Sequence, residues 1–337
     1  MNYNAKVTGT GSAFPKKSVS NEELAKQLAK DGIETNHEWI LERTGIVSRH
    51  YSETGNPDEF NSSLACLASQ KALQMAGKTP EDIDQIIFAT CTPDTPLPSN
   101  GCWLQKKLGA KNAYAMDLVA ACSGFIYALN TADQAIRSGD VKTSLVVGSE
   151  TLSSMTNWSD RSSCVLFGDA AGAVIVERAP ADSQSKIITS HLQSDGNLWE
   201  ILHVIAGGSN EPVSSEALKQ KRNKIQMQGR EVFKHAVRTL SQFATKALDE
   251  AKISHEDLDW FIPHQANLRI IEAVAKRLNI PMNKVILNLD KCGNTSSATV
   301  PTALDEAVRQ GKIKSGQTVL MDVFGAGLTY GSLLLRW

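Results

Sequence analysis

The feature that most restricts how this chain can fold is an internal repeat. Residues 71–84 match residues 246–259 without a gap, 175 positions apart. Residues 122–139 match 294–311 at a separation of 172, with Asp133, Ala135 and Arg137 returning as Asp305, Ala307 and Arg309. The stretch that begins Phe167-Gly168 resembles the one that begins Phe324-Gly325, so the copies close alike. In both copies the first match joins a helical pattern to a strand pattern. Two α/β units of this kind, over residues 1–180 and 181–337, predict halves packed about a pseudo-twofold axis, with the strand ends of both facing one cleft. The separation of 172 puts Cys122 and Asn294 at equivalent positions.

Three residues stand where such a cleft would form. The run 113–119 is short and apolar and reads as a strand, after which Phe125, Ile126, Leu129 and Ile136 recur at helical spacing up to Gly139. Cys122 lies at the seam. At a helix N-terminus the unpaired N–H groups and the positive end of the dipole favour thiolate, the form that attacks carbonyls. In the second copy residues 260–263 read as a short buried strand, followed by His264 and by a helix that Asn267 caps. Asn294 sits in the turn Gly293-Asn294-Thr295-Ser296. Taken singly these are a small buried hydrophobe, a core histidine and a turn residue. Their convergence on one cleft points to covalent catalysis.

Ala121-Cys122-Ser123-Gly124-Phe125, His264-Gln265-Ala266-Asn267-Leu268-Arg269 and the stretch 293–301 resemble the three catalytic blocks of the β-ketoacyl-acyl carrier protein synthase III family, in the thiolase superfamily. Residues 38–46, 157–161 with 167–169, 227–234 and 324–327 resemble further blocks of that family in the same order. The resemblance implies a thiolase-like α/β fold of two duplicated halves, layered α-β-α-β-α. It also implies a decarboxylative Claisen condensation, in which an acyl-CoA primer and malonyl-acyl carrier protein react through an acyl-cysteine to initiate fatty acid synthesis.

On this resemblance Cys122 is the nucleophile, and the backbone N–H groups of Cys122 and Ala326 hold the oxyanion. A neutral His264 N–H and the Asn294 carboxamide stabilise the enolate left by decarboxylation. An acidic residue at 294 would suit proton abstraction from acetyl substrates, so the asparagine fits malonyl. For coenzyme A the resemblance implies Trp39 and Arg161 about the adenine, Arg43 near the phosphates, and Asn267; a ring with guanidinium groups suits a nucleotide. The acidic carrier protein would meet Lys234, Arg269, Lys276 and Arg277. Acyl-pocket residues are Phe167 and Leu97, the latter reaching into the partner of a homodimer. Leu97 stands where acetyl-specific members carry phenylalanine, which implies primers longer than acetyl.

Composition narrows the alternatives. A formal charge of −1 gives no general case for nucleic acid binding, and no apolar run reaches the roughly 18 residues of a membrane span. The N-terminus lacks the apolar core of a signal peptide, which predicts a cytoplasmic protein. Six cysteines without a CxxC pair, and seven histidines at no metal-ligand spacing, predict neither disulfides nor metal; coenzyme A thioesters serve as substrates, with no cofactor. Gly9 and Gly11 read as a strand-end turn, the third glycine of a dinucleotide loop being absent. The polar stretch 207–223 reads as a loop over the tunnel mouth. Alternatives are a family member serving a secondary metabolite, a CoA-dependent acyltransferase without decarboxylation, a Cys/His/Asn thiol hydrolase, and a binding module without activity. Asn294 weakens the second, the duplication the third, and retention of all three residues the fourth.

Overall fold

Apolar side chains on both faces of nearly every strand require a cover on each side of each sheet. The computed structural model describes residues 3–337. The first half contains β1 (Tyr3–Ala13), α1 (His37–Thr44), α2 (Asn61–Ala76), β2 (Gln85–Ala89), β3 (Tyr114–Leu118), α3 (Gly124–Ser138), β4 (Thr143–Thr151) and β5 (Asp169–Pro180). The second contains β6 (Lys186–Ser194), α4 (Gly229–Ala251), β7 (Trp260–Pro263), α5 (Leu268–Arg277), α6 (Thr299–Arg309), β8 (Thr318–Gly325) and β9 (Thr329–Arg336). They form a five-stranded sheet, β1-β5-β4-β2-β3, and a four-stranded sheet, β7-β8-β9-β6.

Alternation along the strands sets the layers. Ile87 and Ala89 of β2, and Val319, Met321 and Val323 of β8, pack between the sheets against Phe125 and Leu129 of α3 and Val300 and Leu304 of α6. Ile86 and Phe88 turn outward onto Leu64 and Ala68 of α2. Leu320 and Phe324 turn outward onto Leu240 of α4 and Ile271 of α5. The result is the layered α-β-α-β-α arrangement implied by the resemblance. Gly9 and Gly11 correct one expectation, because they lie within β1, not in a turn. A Cβ at Gly9 would stand 2.2 Å from the Ala72 carbonyl oxygen of α2, and one at Gly11 2.1 Å from that of Ala68. They are glycines so that the strand can touch the helix.

The duplication is real, but its register differs from the sequence match. Thr143 and Thr318, 175 positions apart, each donate their backbone N–H to an aspartate, Asp84 and Asp259. Ala121 (φ 46°) and Ser296 (φ 52°), also 175 apart, are left-handed residues ahead of α3 and α6. The structural counterpart of Cys122 is therefore Ser297, and Asn294 lies one turn earlier. The glycines after the two helices, Gly139 and Gly311, are 172 apart because Gly139 comes 15 residues after the first residue of α3 and Gly311 only 12 after that of α6. The sequence match followed the helix ends, where buried Asp133 and Asp305 each need an arginine partner, Arg137 at 2.8 Å and Arg309 at 2.7 Å. The closures differ too. Residues 152–168 connect β4 to β5, whereas 326–328 alone connect β8 to β9, so Phe167-Gly168 precede a strand and Phe324-Gly325 end one.

Among the described residues no helix is long and apolar enough to cross a membrane, and no group of three or more His, Cys, Asp or Glu could hold a metal ion. Gly9→Ala should lower the unfolding free energy by about 1–3 kcal/mol, the usual cost of overpacking, read as a shift in denaturant midpoint. An unchanged midpoint would show that α2 can move off β1 at no cost.

Candidate active site

The apolar end of β3 and the buried start of α3 fix the thiol. Between them Ala120 to Ser123 make a tight turn whose left-handed residue, Ala121, immediately precedes Cys122. The second half clamps this turn, because Ser123 Oγ donates to the Thr329 carbonyl (2.9 Å) and Thr329 Oγ1 to the Ala120 carbonyl (2.8 Å). Gly325 allows the approach: a Cβ there would lie 2.7 Å from the Cys122 nitrogen. The connection after β8 thus runs beside the Cys122 N–H, and Ala326 shares a cavity with Cys122.

His264 follows β7, and its N–H donates to the Asp322 carbonyl of β8 at 2.8 Å. The side chain is buried, with Nδ1 2.7 Å from Thr299 Oγ1. Asn294 pairs with the connection before β5: its N–H donates to Leu166 O (2.8 Å) and its carbonyl accepts from Gly168 N (3.0 Å). Asn294 Oδ1 accepts from Ser296 N at 2.9 Å, which leaves the Nδ2 amide as the donor this side chain can present. Cys122, His264 and Asn294 line one cavity of about 480 Å³.

Burial holds these groups neutral. It pushes the Cys122 thiol up to about 12, with the nearby Glu150 carboxylate adding to the rise, against the Ser296 hydroxyl and the Cys122 N–H. The thiol, not the expected thiolate, is therefore the resting form, because burial around the sulfur costs the charged form more than the helix N-terminus returns. Burial lowers His264 to about 3, so its imidazole is uncharged. Glu150 went unnoticed in the sequence and is fully buried. It accepts from the Thr90 and Thr92 hydroxyls, the Cys91 N–H and the hydroxyls of Ser296 and Ser297, joining both halves beneath the cysteine. Burial raises its pKa.

The remaining site residues divide. Trp39, Arg43, Asn267 and Arg269 line the outer part of the large cavity. The guanidinium carbons of Arg43 and Arg161 stand 4.7 and 4.6 Å from the Trp39 ring centroid. Asn267 is held by structure, its Oδ1 accepting from Arg269 N and its Nδ2 donating to Arg43 O. Lys234, Lys276 and Arg277 are exposed but do not line the cavity, whereas Arg230 and Phe233, both within the 227–234 block, do. Phe167 lines the large cavity and a second one of about 200 Å³ that also opens on Cys122 and is walled by Cys91, Leu152, Met155, Val204 and Ile225. Leu97 lines neither and is 86% exposed. No residue of 207–223 lines either cavity; the stretch folds on itself through a short helix (Ser215–Lys219) and the Glu211–Arg222 ion pair.

Comparison with known proteins agrees with this geometry. Residues 116–196 match the family model for 3-oxoacyl-[acyl-carrier-protein (ACP)] synthase III, and residues 248–337 match that for its C-terminal part. The chain is 46% identical over 337 residues, all of both chains, to the β-ketoacyl-[acyl-carrier-protein] synthase III of Methylococcus capsulatus (strain Bath). It superposes on the crystal structure of 3-oxoacyl-[acyl-carrier-protein] synthase III from Aquifex aeolicus with a TM-score of 0.88 and 43% identity, covering 99% of this chain and 100% of that one. The priming β-ketosynthase of the R1128 polyketide pathway gives a TM-score of 0.89 at 37% identity, covering 99% and 97%.

Burial against helix terminus can be weighed directly. With a thiol near 12, alkylation of Cys122 by iodoacetamide, followed by mass spectrometry, should keep rising with pH beyond 9. A plateau at neutral pH would show that the helix terminus dominates.

Proposed function

The chain belongs to the β-ketoacyl-[acyl-carrier-protein] synthase III family, and from that premise we propose how its residues divide the work. It is a condensing acyltransferase of thiolase-like fold. In our reading residues 1–180 supply the nucleophile and residues 181–337 the groups that generate the carbanion. Cys122 takes the acyl group from acyl-CoA. The observation that carries the reading is that Cys122, His264 and Asn294 line one cavity together with Trp39, Arg43 and Asn267.

The reaction begins when the Cys122 sulfur attacks the acyl thioester carbonyl; its proton passes to the coenzyme A sulfur, whose bond to the acyl carbon breaks, and coenzyme A leaves as the thiol. The backbone N–H groups of Cys122 and Ala326 receive the oxyanion. Coenzyme A leaves along the Trp39, Arg43 and Arg161 side, and malonyl-acyl carrier protein enters by the same route. Its carrier domain meets Arg269, Lys234, Lys276 and Arg277, joined by Arg230. Loss of CO₂ from malonyl places negative charge on the thioester oxygen, where the His264 N–H and the Asn294 amide donate. The carbanion attacks acyl-Cys122, the carbon–sulfur bond breaks, and the β-ketoacyl chain leaves on the carrier protein. No cofactor takes part. A neutral histidine serves as donor without competing for a proton, and burial keeps it neutral. The reaction draws on cytoplasmic pools of coenzyme A thioesters and carrier protein.

The acyl chain occupies the smaller cavity beside Phe167. The partner of a homodimer completes it: Tyr114, 53% exposed, and Val119, 75% exposed, stand at the two ends of β3, the last strand of its sheet, and Leu97 is 86% exposed. Exposed apolar side chains along an unpaired strand favour a twofold contact with a second copy.

Cys122→Ala should form no acyl adduct by intact-mass spectrometry while keeping its fold. His264→Ala and Asn294→Ala should each lose malonyl decarboxylation by about 10²–10³ and still acylate Cys122; equal loss of both steps would remove the pair from its assigned role. Light scattering should give a dimer. Acylation rates across chain lengths should extend beyond acetyl in the wild type and contract toward it in Leu97→Phe. An unchanged profile would show that Leu97 does not set primer size.

A further inference from the structure

What the smaller cavity can hold follows from its size and its walls. Its lining is almost wholly apolar, and its volume is about 200 Å³. A dry apolar cavity of about 150 Å³ holds one benzene, which is six carbon atoms, so a space of this size takes about eight. Phe167 and Leu202 line both cavities and therefore stand between them. Leu152, Met155, His203, Val204 and Ile225 line the smaller one only, so a chain attached to Cys122 extends toward them and away from His264 and Asn294.

These five walls differ in how far they can yield. Leu152 and Ile225 are buried, and with Phe167 they form a hydrophobic cluster of their own. The Ile225 N–H donates to the Met155 carbonyl at 2.9 Å, which ties the two backbones together. The His203 ring lies 5.1 Å from that of Trp199, with Nδ1 3.1 Å from the Glu200 carbonyl oxygen. Val204 is β-branched and therefore stiff. Met155 alone is unbranched. Its side chain packs against the cluster but is only half-buried, and its rotatable bonds let it fold back as a chain lengthens.

We propose that this cavity selects unsubstituted acyl primers of about six to eight carbons, and that Met155 sets the upper limit. The proposal rests on the reading that the acyl chain lies beside Phe167, and names the primer that site takes. Apolar walls leave a polar group at the end of the chain without a partner, so a primer that ends in a carboxylate is refused. Each methylene buried there favours acylation by up to about four-fold. Removing Cγ, Sδ and Cε of Met155 opens room for about three more carbons.

The test is the rate at which Cys122 of the full chain gains each acyl group, read by intact-mass spectrometry, from straight-chain acyl-CoAs between acetyl and dodecanoyl and from adipoyl-CoA. In the wild type hexanoyl or octanoyl should be fastest, with dodecanoyl at least about 10-fold slower than octanoyl and adipoyl at least about 10-fold slower than hexanoyl. Met155→Ala should move the optimum about two to three carbons longer, and the bulkier, stiffer Met155→Phe should move it shorter. A wild type that is fastest with acetyl, or takes dodecanoyl as fast as octanoyl, or adipoyl as fast as hexanoyl, overturns the proposal and needs no variant to fold. So does a Met155→Ala enzyme with the wild-type optimum. Val204→Phe separates the two readings. If it shortens the optimum and Met155→Ala leaves it in place, only the role of Met155 falls; if neither variant moves it while both acylate Cys122, the acyl chain does not lie in the smaller cavity.

Discussion

Two helices with buried starts, α3 and α6, govern the rest of the molecule. Sandwiched between the sheets, they bury all of their first three residues, Gly124 to Ile126 and Thr299 to Pro301, polar ones included. A buried helix leaves its first N–H groups with no water to satisfy them. Both starts are also tied to the other half through hydroxyls in the same place: Ser123 Oγ donates to the Thr329 carbonyl, and Ser296 and Ser297 Oγ donate to Glu150. The chemistry occupies the point where two helix starts meet because that is where unspent donors collect. Phe167, Asn294 and His264 reach it from loops that the same sheets hold still.

Much of this was legible in the sequence. Cys122 declared itself by lying between an apolar strand and a helical repeat, and His264 by following a four-residue apolar strand ahead of a capped helix. The two halves followed from the duplication, and the layering from the family resemblance. What was misread had local causes. Asp133 with Arg137 and Asp305 with Arg309 form the same i,i+4 pair at two helix ends, so they aligned the copies there and hid the fact that α6 is about a turn shorter than α3. Glu150 reads as an ordinary polar end to a strand; its partners, Cys91 and Ser296, lie 59 and 146 positions away, and no spacing announces that kind of contact. Thr299 was hidden in the same way, its histidine being 35 positions off.

The thiol shows where a rule stated for surfaces fails inside. A helix start favours an anion where solvent can share the charge. At Cys122 burial and the nearby Glu150 both oppose the anion, so the proton stays on sulfur at rest. His264 is driven the other way, and no thiolate–imidazolium pair forms at rest. A site of uncharged groups suits a reaction whose charge appears only in passing, on an acyl oxygen and then on an enolate.

The edge strand β3 bears on how such a chain comes to be made. Its unpaired N–H and C=O groups, beside exposed Tyr114 and Val119, are open to any extended segment, and natural edges are usually blunted by lysine, proline or a bulge. Until something covers it, a newly made chain carries a seed for edge-to-edge aggregation. Dilution, slow synthesis or a damaged partner surface would prolong that exposure, so changes near residues 114–119 bear on soluble yield as well as on turnover.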